Sequence, residues 1–296
     1  MEDTRDREAP VGPEHHPHPG DDATPQPAAV RPSVVFVHGM RTSGAIWDAQ
    51  LDAVHDAGYR ATAIDLPGHG VRRRERFTMQ GAFDAIDEAA ADLADPASEA
   101  RATPLALVGL SLGGYTSLAY AARAPEQRGG LLRGVVAASC STNTRGLPLR
   151  TFQAGLHGSL AAGRLTRELG GRAAARLSRL VLPPPTRRAL AGGRPPASPP
   201  LPVVRASQTP GWDLVADALR HLAGESSVRN LRASDVPVWL VNGARDQLRM
   251  QERRHARAAA RLVVVPGAGH DVSLEAPAAF NAAVLDALAA FGPTRA

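Results

Sequence analysis

The residues around Ser111 could turn a serine hydroxyl into a nucleophile. Gly109 and Gly113 flank it in a G-x-S-x-G pattern, which follows the apolar run 105–108 and precedes a segment rich in Ala and Leu. A serine raised on a tight turn between a strand and a helix needs glycine two positions away on either side, because larger side chains would collide there. The helix that follows directs its N–H groups, and the positive end of its dipole, at the group that Ser111 attacks.

A serine hydroxyl is a poor nucleophile at neutral pH, so it needs a base and a carboxylate that orients the base. Asp246 follows a predicted strand at 236–241, and His270 follows the next predicted strand at 261–265. Because parallel strands place their carboxyl ends along one edge of a sheet, side chains that are distant in sequence meet there. We therefore predict a catalytic triad of Ser111, His270 and Asp246.

Other acidic residues fit the orienting role less well. Residues 134–167 contain no Asp or Glu, which excludes a catalytic acid after the predicted strand at 132–138. Asp271 adjoins His270, and neighbouring residues cannot readily make the orienting hydrogen bond. Asp65 also ends a predicted strand, and we interpret it as a residue that caps a turn.

Two other histidines, His38 and His69, also follow predicted strands. His38 lies in an H-G turn before the nucleophile, and we interpret it as shaping that loop through hydrogen bonds. His69 lies in a P-G-H-G turn and is interpreted as structural. The histidines predicted on helices are expected at the surface: His55, His157, His221 and His255.

An attacked carbonyl group develops negative charge on its oxygen, which needs backbone N–H donors that are already aimed at it. The residue after the nucleophile, Leu112, supplies one such donor. The turn after the first strand supplies the other, and we predict that this second donor is the N–H of Met40.

Predicted strands and helices alternate along most of the chain. This alternation indicates right-handed βαβ units and an α/β fold, with a mostly parallel sheet flanked by helices. The strands are predicted at 33–37, 59–64, 105–108, 132–138, 236–241 and 261–265, and the helices outside the insertion at about 45–55, at 77–93, after Ser111 and at 277–291.

One long segment, residues 142–235, has no strong strand pattern. Val215, Leu219 and Leu222 have helical spacing there, as do apolar residues at 152–160, whereas the proline-rich stretch 183–202 is predicted to be a loop. An insertion after a strand lies above the carboxyl edge of the sheet. We predict a disordered leader at 1–32, an α/β core at 33–141 and 236–296, and a helical cap at 142–235.

The composition limits the chemistry that this chain can perform. All 34 basic residues are Arg, so there is no lysine base, Schiff base or phosphate-binding lysine, and the net charge is +5. The Arg residues are dispersed and aromatic residues are 4%, which argues against nucleic acid as a partner. No apolar run is long enough to span a membrane. The single Cys140 fits a reducing, cytoplasmic compartment, and we expect no metal or other cofactor.

Taken together, these motifs resemble those of the α/β-hydrolase superfamily, of the small bacterial kind with a helical cap. The likeness extends over about residues 33–291 outside the insertion. Two leading antiparallel strands that are usual in the superfamily are not evident here, so a shortened sheet is expected. The motifs that carry the resemblance are His38-Gly39-Met40, D-L-P-G-H-G at 65–70, G-L-S-L-G-G at 109–114, G-A-R-D at 243–246 and G-A-G-H at 267–270.

The resemblance implies a serine hydrolase that cleaves an ester or ester-like bond of a small-molecule acyl substrate through an acyl-enzyme. Because the nucleophile is Ser and not Asp, the resemblance does not extend to haloalkane dehalogenases or epoxide hydrolases. Hydroxynitrile lyases of plants use a lysine that this chain lacks. Four alternatives stay open on the same fold: a thioesterase, a C–C bond hydrolase, an acyltransferase and a ligand-binding protein without turnover.

Overall fold

Six parallel strands form one sheet in the part of the chain that the structure describes. The structure, a computed structural model, describes residues 31–94, 104–129, 131–145 and 212–292. The strands lie side by side in the order β2-β1-β3-β4-β5-β6, and every neighbouring pair is parallel. Their bounds are β1 Ser33–Val37, β2 Ala61–Ile64, β3 Pro104–Leu110, β4 Leu131–Ala138, β5 Val238–Gly243 and β6 Arg261–Val265. The predicted α/β class with a mostly parallel sheet is confirmed.

The central strands are apolar on both sides because helices cover both faces of the sheet. Every residue of β1, β3 and β5 is buried, whereas β6 at the edge of the sheet is buried only at Val265. The strand predictions at 33–37 and 261–265 match β1 and β6 to the residue. β3 is longer than predicted and extends to Leu110, the residue before Ser111.

Two helical layers pack on the sheet. One face carries α2, α3, α4 and α5, whose buried side chains join the core around Leu105 and Leu107. The opposite face carries α1, α7 and α8, which cover Val34 and Phe36. The helices of the described residues are α1 Asp48–Asp56, α2 Met79–Asp92, α3 Leu112–Ala121, α4 Trp212–Gly224, α5 Ser227–Ala233, α6 Glu252–Ala256, α7 Val272–Glu275 and α8 Pro277–Phe291.

The last helix illustrates how local signals and packing agree. Pro277 is its first residue, and Gly292 ends it with a φ of 66°, which glycine adopts without strain. Phe280 and Phe291 are buried against the sheet, and burial of each such side chain stabilises the fold by about 1.5–3 kcal/mol. A Cβ at Gly134 on β4 would overlap the ring of Phe291, so α8 approaches the sheet closely there.

Part of the predicted cap is described. α4 confirms the helix predicted from Val215, Leu219 and Leu222, and these three residues are buried. α5 follows it and packs against α3. The predicted helix at 152–160, the predicted loop at 183–202 and the leader up to residue 30 lie outside the described residues. Within the described part of the chain, no helix has the length and apolarity needed to cross a membrane.

Candidate active site

Ser111 lies in the turn between β3 and α3 with a backbone conformation that strains a residue with a side chain. Its φ is 54° and its ψ is −112°, a combination that persists only when the surroundings impose it. A Cβ at Gly109 would overlap the carbonyl of Gly113, and a Cβ at Gly113 would overlap the carbonyl oxygen of Val37. The N–H of Ser111 donates to the carbonyl oxygen of Ala138 on β4 at 2.8 Å. The two glycines therefore allow the crowded turn that the sequence pattern predicts.

The structure brings Ser111, His270 and Asp246 together. His270 Nε2 lies 2.9 Å from Ser111 Oγ, and His270 Nδ1 lies 3.0 Å from Asp246 Oδ1. A carboxylate can only accept, so Nδ1 carries the ring proton and Nε2 is free to accept the hydroxyl proton of Ser111. The His270 side chain is 37% exposed and that of Asp246 is 0% exposed. The geometry is that of a base held between a hydroxyl and a buried carboxylate.

Two loops carry the base and the acid, and a close backbone approach holds them side by side. A Cβ at Gly243, the last residue of β5, would overlap the carbonyl oxygen of Gly269 next to His270. Beyond it, the N–H of Arg245 donates to the carbonyl oxygen of Ala268 at 2.8 Å. The sheet pairing of β5 and β6 thus continues past the strand ends as far as the two side chains.

Charge and burial act in opposite directions on this pair. Burial alone would raise the pKa of Asp246, but the hydrogen bond and the charge of His270, with the N–H of Leu248, outweigh it and lower that pKa. Burial alone would lower the pKa of His270, but the hydrogen bond and the charge of Asp246 outweigh it and raise that pKa. The site therefore favours an ionised Asp246 and a stabilised imidazolium of His270.

The acid loop is fastened to the segment that follows β4. Leu248 donates its N–H to Asp246 Oδ1 at 2.8 Å and accepts from Thr142 Oγ1 at 2.6 Å through its carbonyl oxygen. The carbonyl oxygen of Thr142 in turn accepts from the hydroxyl of Tyr115 on α3 at 2.9 Å. These bonds connect Asp246 to the helix that begins next to Ser111.

A second polar network supports the acid loop, and it was not predicted from the sequence. Asn242 Nδ2 donates to Ser141 Oγ and to Glu252 Oε1, both at 2.8 Å. Arg249 makes a two-bond ion pair with Glu252 at 2.7 and 2.6 Å and donates to the carbonyl oxygen of Ala244 at 2.6 Å. The Asn242 contacts join β5 to the segment after β4 and to α6, and the Arg249 contacts join the acid loop to α6 and to its own start, so both ends of the loop are held.

The two predicted oxyanion donors lie on either side of the serine. Leu112 is the first residue of α3, so its N–H has no partner within the helix. Met40 belongs to the turn after β1, and a Cβ on the preceding Gly39 would lie 3.6 Å from Ser111 Cβ. The turn is therefore in contact with the serine. The use of these two N–H groups stays a prediction.

Two buried, neutral histidines hold this turn in place, in the loop-shaping role that was predicted for His38. The N–H of Leu66 donates to His38 Nε2 at 3.0 Å, and the N–H of Arg41 donates to His69 Nε2 at 3.1 Å. His38 Nδ1 donates to the carbonyl oxygen of Gly39 at 2.7 Å. Burial lowers the pKa of both rings, that of His38 to about 3, so each ring stays neutral and can accept from the backbone.

Asp65 caps a turn, as predicted, and does not compete for the base. Its Oδ1 accepts from the N–H of Gly44 and its Oδ2 from the N–H of Val71, both at 2.7 Å. Both carboxylate oxygens are thus used by the backbone of the two loops that follow β1 and β2.

The prediction that His255 lies at the surface is wrong. His255 is 0% exposed, and its Nε2 lies 3.0 Å from Ser227 Oγ. α6 packs against α5, which covers the one face of this short helix that carries His255. The sequence did not indicate this burial, because charged residues surround His255 along the chain. Of the other helical histidines, His55 is exposed, His221 is half-buried and His157 lies outside the described residues.

The comparisons with known proteins show the family of this chain. A sequence model described as the alpha/beta hydrolase family matches residues 34–283. A non-heme chloroperoxidase of Kitasatospora aureofaciens is 38% identical over 90 residues, which are 30% of this chain and 31% of that protein. An esterase of Mycobacterium tuberculosis is 34% identical over 104 residues, 34% of this chain and 32% of that one. The chain thus matches about a third of the length of each of these relatives.

Solved structures share the fold over most of this chain. A carboxylesterase of Nitrososphaera gargenis superposes with a TM-score of 0.63 at 19% identity, covering 88% of this chain and 91% of that one. A thermophilic esterase of Thermogutta terrifontis superposes with a TM-score of 0.59 at 22% identity, covering 89% and 91%. At these identities the similarity concerns the fold alone.

Among the described residues, no group of His, Cys, Asp and Glu side chains could hold a metal ion.

Proposed function

This chain belongs to the alpha/beta hydrolase family, and from that premise we propose that it is a serine hydrolase that cleaves ester or ester-like bonds through an acyl-enzyme. One observation carries the proposal: Ser111 Oγ lies 2.9 Å from His270 Nε2, and His270 Nδ1 lies 3.0 Å from the buried Asp246. The hydroxyl, the base and the orienting acid are thereby within hydrogen-bond reach without any movement of the chain.

In the first half of the reaction, His270 Nε2 accepts the proton of Ser111 while Oγ forms a bond to the substrate carbonyl carbon. The carbonyl oxygen becomes an oxyanion, which the N–H groups of Leu112 and Met40 stabilise. When the tetrahedral intermediate collapses, the bond to the leaving group breaks, and the leaving oxygen takes the proton from His270. The product of this half is an ester of Ser111.

In the second half, His270 Nε2 takes a proton from a water molecule, whose oxygen attacks the acyl carbon. The bond to Ser111 Oγ then breaks, and the proton on His270 returns to that oxygen. Asp246 stays ionised throughout. It holds the tautomer of His270 and stabilises the imidazolium in both halves, consistent with the raised pKa of the ring.

We further propose that residues 142–235 form a cap over this edge of the sheet, as expected from the sequence. Within the described part, α4 supports the proposal, because its Leu214 packs where a Cβ of Gly68 would stand, in the turn after β2, whereas α5 packs against α3 on a face of the sheet. The esterase name of the Mycobacterium tuberculosis relative supports a small-molecule acyl substrate.

The experiment compares wild type with Ser111→Ala, using p-nitrophenyl esters of graded acyl length and a fluorophosphonate probe that labels activated serines. We expect wild type to hydrolyse at least one ester and to bind the probe, and Ser111→Ala to lose at least about a thousandfold in kcat/KM and all labelling. Ser117→Ala is the matched control, because Ser117 is buried in α3 and has no hydrogen-bond partner among the described residues. Turnover by Ser111→Ala at the wild-type rate would refute the mechanism. Ligand binding without turnover or labelling in wild type would favour a binding protein instead.

A further inference from the structure

Ser139 has an unfavourable backbone conformation that its structural role does not explain. It follows β4 directly, its φ is 53°, and it is 0% exposed. Its N–H donates to the carbonyl oxygen of Val241 at 3.1 Å, so the backbone continues the pairing of β4 with β5. Glycine adopts a positive φ without strain, whereas serine does not. Strained residues with side chains are concentrated at functional sites.

The hydroxyl of Ser139 and the Oδ2 atom of Asp246 both lack a hydrogen-bond partner. Neither Ser139 Oγ nor Asp246 Oδ2 makes a formed hydrogen bond to any described residue, and both atoms are buried. Buried polar atoms without partners destabilise a fold. The two groups lie at neighbouring strand ends, because the N–H of Ser139 donates to Val241 on β5 and Asp246 follows that strand. The Ser139 hydroxyl is also among the causes that lower the pKa of Asp246, after His270 and the N–H of Leu248, against the effect of burial.

The other groups near the acid cannot replace this donor. Five ionisable or charged side chains lie near Asp246, and none of them makes a hydrogen bond to it in the described part of the chain: Tyr115, Cys140, Arg249, Glu252 and Asp271. The hydroxyl of Tyr115 donates to the carbonyl oxygen of Thr142, and the guanidinium of Arg249 is paired with Glu252. Among the described side chains, Ser139 thus has a buried hydroxyl that is free to donate to Asp246 Oδ2.

We propose that Ser139 is a positioning residue of the active site, whose hydroxyl donates to Asp246 Oδ2 and keeps Oδ1 directed at His270. The inference rests on the proposed function, because it assigns Ser139 a role through the acid of that site. A carboxylate held at one oxygen only, by Leu248 and His270, can rotate about its last bond. A donor on the second oxygen stops that rotation and stabilises the ionised form.

The test measures kcat and KM from pH 5 to pH 9 for wild type, Ser139→Ala, Ser139→Gly and the control Ser117→Ala. Loss of a hydrogen bond to a charged group is expected to lower kcat by about tenfold to a hundredfold. KM should stay unchanged, because Ser139 acts through Asp246. The acidic limb of the pH profile should move to lower pH, since a less firmly held carboxylate raises the pKa of His270 less. Ser117→Ala should match wild type.

The two substitutions of Ser139 separate the hydroxyl from the backbone. Ser139→Gly removes the hydroxyl and relieves the strain, so it keeps a folded protein even where Ser139→Ala is destabilised. If the proposal holds, Ser139→Ala and Ser139→Gly lower kcat by the same factor. Adding either substitution to an Asp246→Asn variant then lowers kcat no further. Wild-type kcat and pH profile in both variants, or wild-type activity in Ser139→Gly alone, would overturn it. The proposed function fails separately, if Ser111→Ala retains turnover.

Discussion

The described residues include two serine–histidine pairs that are nearly alike in local geometry and different in surroundings. In the first, Ser111 Oγ lies 2.9 Å from His270 Nε2; in the second, Ser227 Oγ lies 3.0 Å from His255 Nε2. Both rings carry their proton on Nδ1, because in both cases Nδ1 faces a group that can only accept. That group is the Asp246 carboxylate in the first pair and the carbonyl oxygen of Gln251, at 3.0 Å, in the second.

The group that faces Nδ1 of the ring decides which histidine can act as a base. His270 is partly exposed, and its carboxylate partner raises its pKa against the effect of burial. His255 is fully buried and has only a carbonyl behind it, so burial lowers its pKa. A base must take up a proton in the transition state. The fold stabilises that proton on His270 and opposes it on His255, so a hydrogen bond between serine and histidine does not by itself make a nucleophile.

The backbones of the two serines differ in the same sense. Ser111 lies before α3 with a strained φ of 54°, and its hydroxyl stands beside the turn at Gly39. Ser227 is the first residue of α5 in ordinary helical conformation, and its hydroxyl also lies 3.2 Å from the carbonyl oxygen of Thr142. The first serine is held where a substrate can meet it, whereas the second joins α5 and α6 to the segment after β4.

Converting the first pair into the electrostatic equivalent of the second should have the largest effect. Asp246→Asn replaces the carboxylate with a neutral amide, as the Gln251 carbonyl is neutral. We expect kcat on p-nitrophenyl esters to fall by about a hundredfold to ten-thousandfold, the contribution of a correctly oriented general base. The acidic limb of the pH profile should move to lower pH, because the charge that raises the pKa of His270 is gone. Unchanged kcat in a folded Asp246→Asn variant would contradict the conclusion that the carboxylate distinguishes the two pairs.

The first pair and its acid could be predicted from the sequence, because the residue patterns of strands are local. β1 and β6 are short β-branched runs, and the ends of parallel strands share one edge, which is enough to bring Ser111, Asp246 and His270 together. The burial of His255 could not be predicted. It depends on α5 lying against α6, a contact between elements whose sequences are rich in Arg and polar residues.

The supports of the acid were missed for the same reason. Asn242, Arg249 and Glu252 have no motif, and their network depends on distances between loops that side-chain patterns do not encode. Ser139 carries only a weak local signal as a serine at the end of a strand, and its positive φ becomes visible only in the structure.

The pH dependence of stability should separate the two histidines by sign. The folded-state pKa of His255 is lowered, so its contribution is complete above the unfolded value of about 6.5 and is lost as the pH falls below it. The folded-state pKa of His270 is raised, so its contribution is complete below about 6.5 and is lost as the pH rises through the folded value.

Urea unfolding of wild type, His255→Gln and His270→Gln between pH 5 and pH 9 checks these signs. We expect His255→Gln to flatten the loss of stability on the acidic side of about pH 6.5, and His270→Gln to flatten the loss on the alkaline side. His55→Gln, at an exposed position, is the matched control and should change neither side. Changes on the same side for both histidines would contradict the opposite environments of the two pairs.

The smallest expected effect comes from deleting the serine of the second pair. Ser227→Ala leaves His255 Nε2 without its donor in a buried position, which should lower the free energy of unfolding by about 1–3 kcal/mol. Ester hydrolysis should stay within about twofold of wild type, because Ser227 reaches Asp246 only through the neutral groups of Thr142 and Leu248. A large fall in kcat, with stability preserved, would mean that the buried pair takes part in the chemistry. The carboxylate would then not be what distinguishes the two pairs.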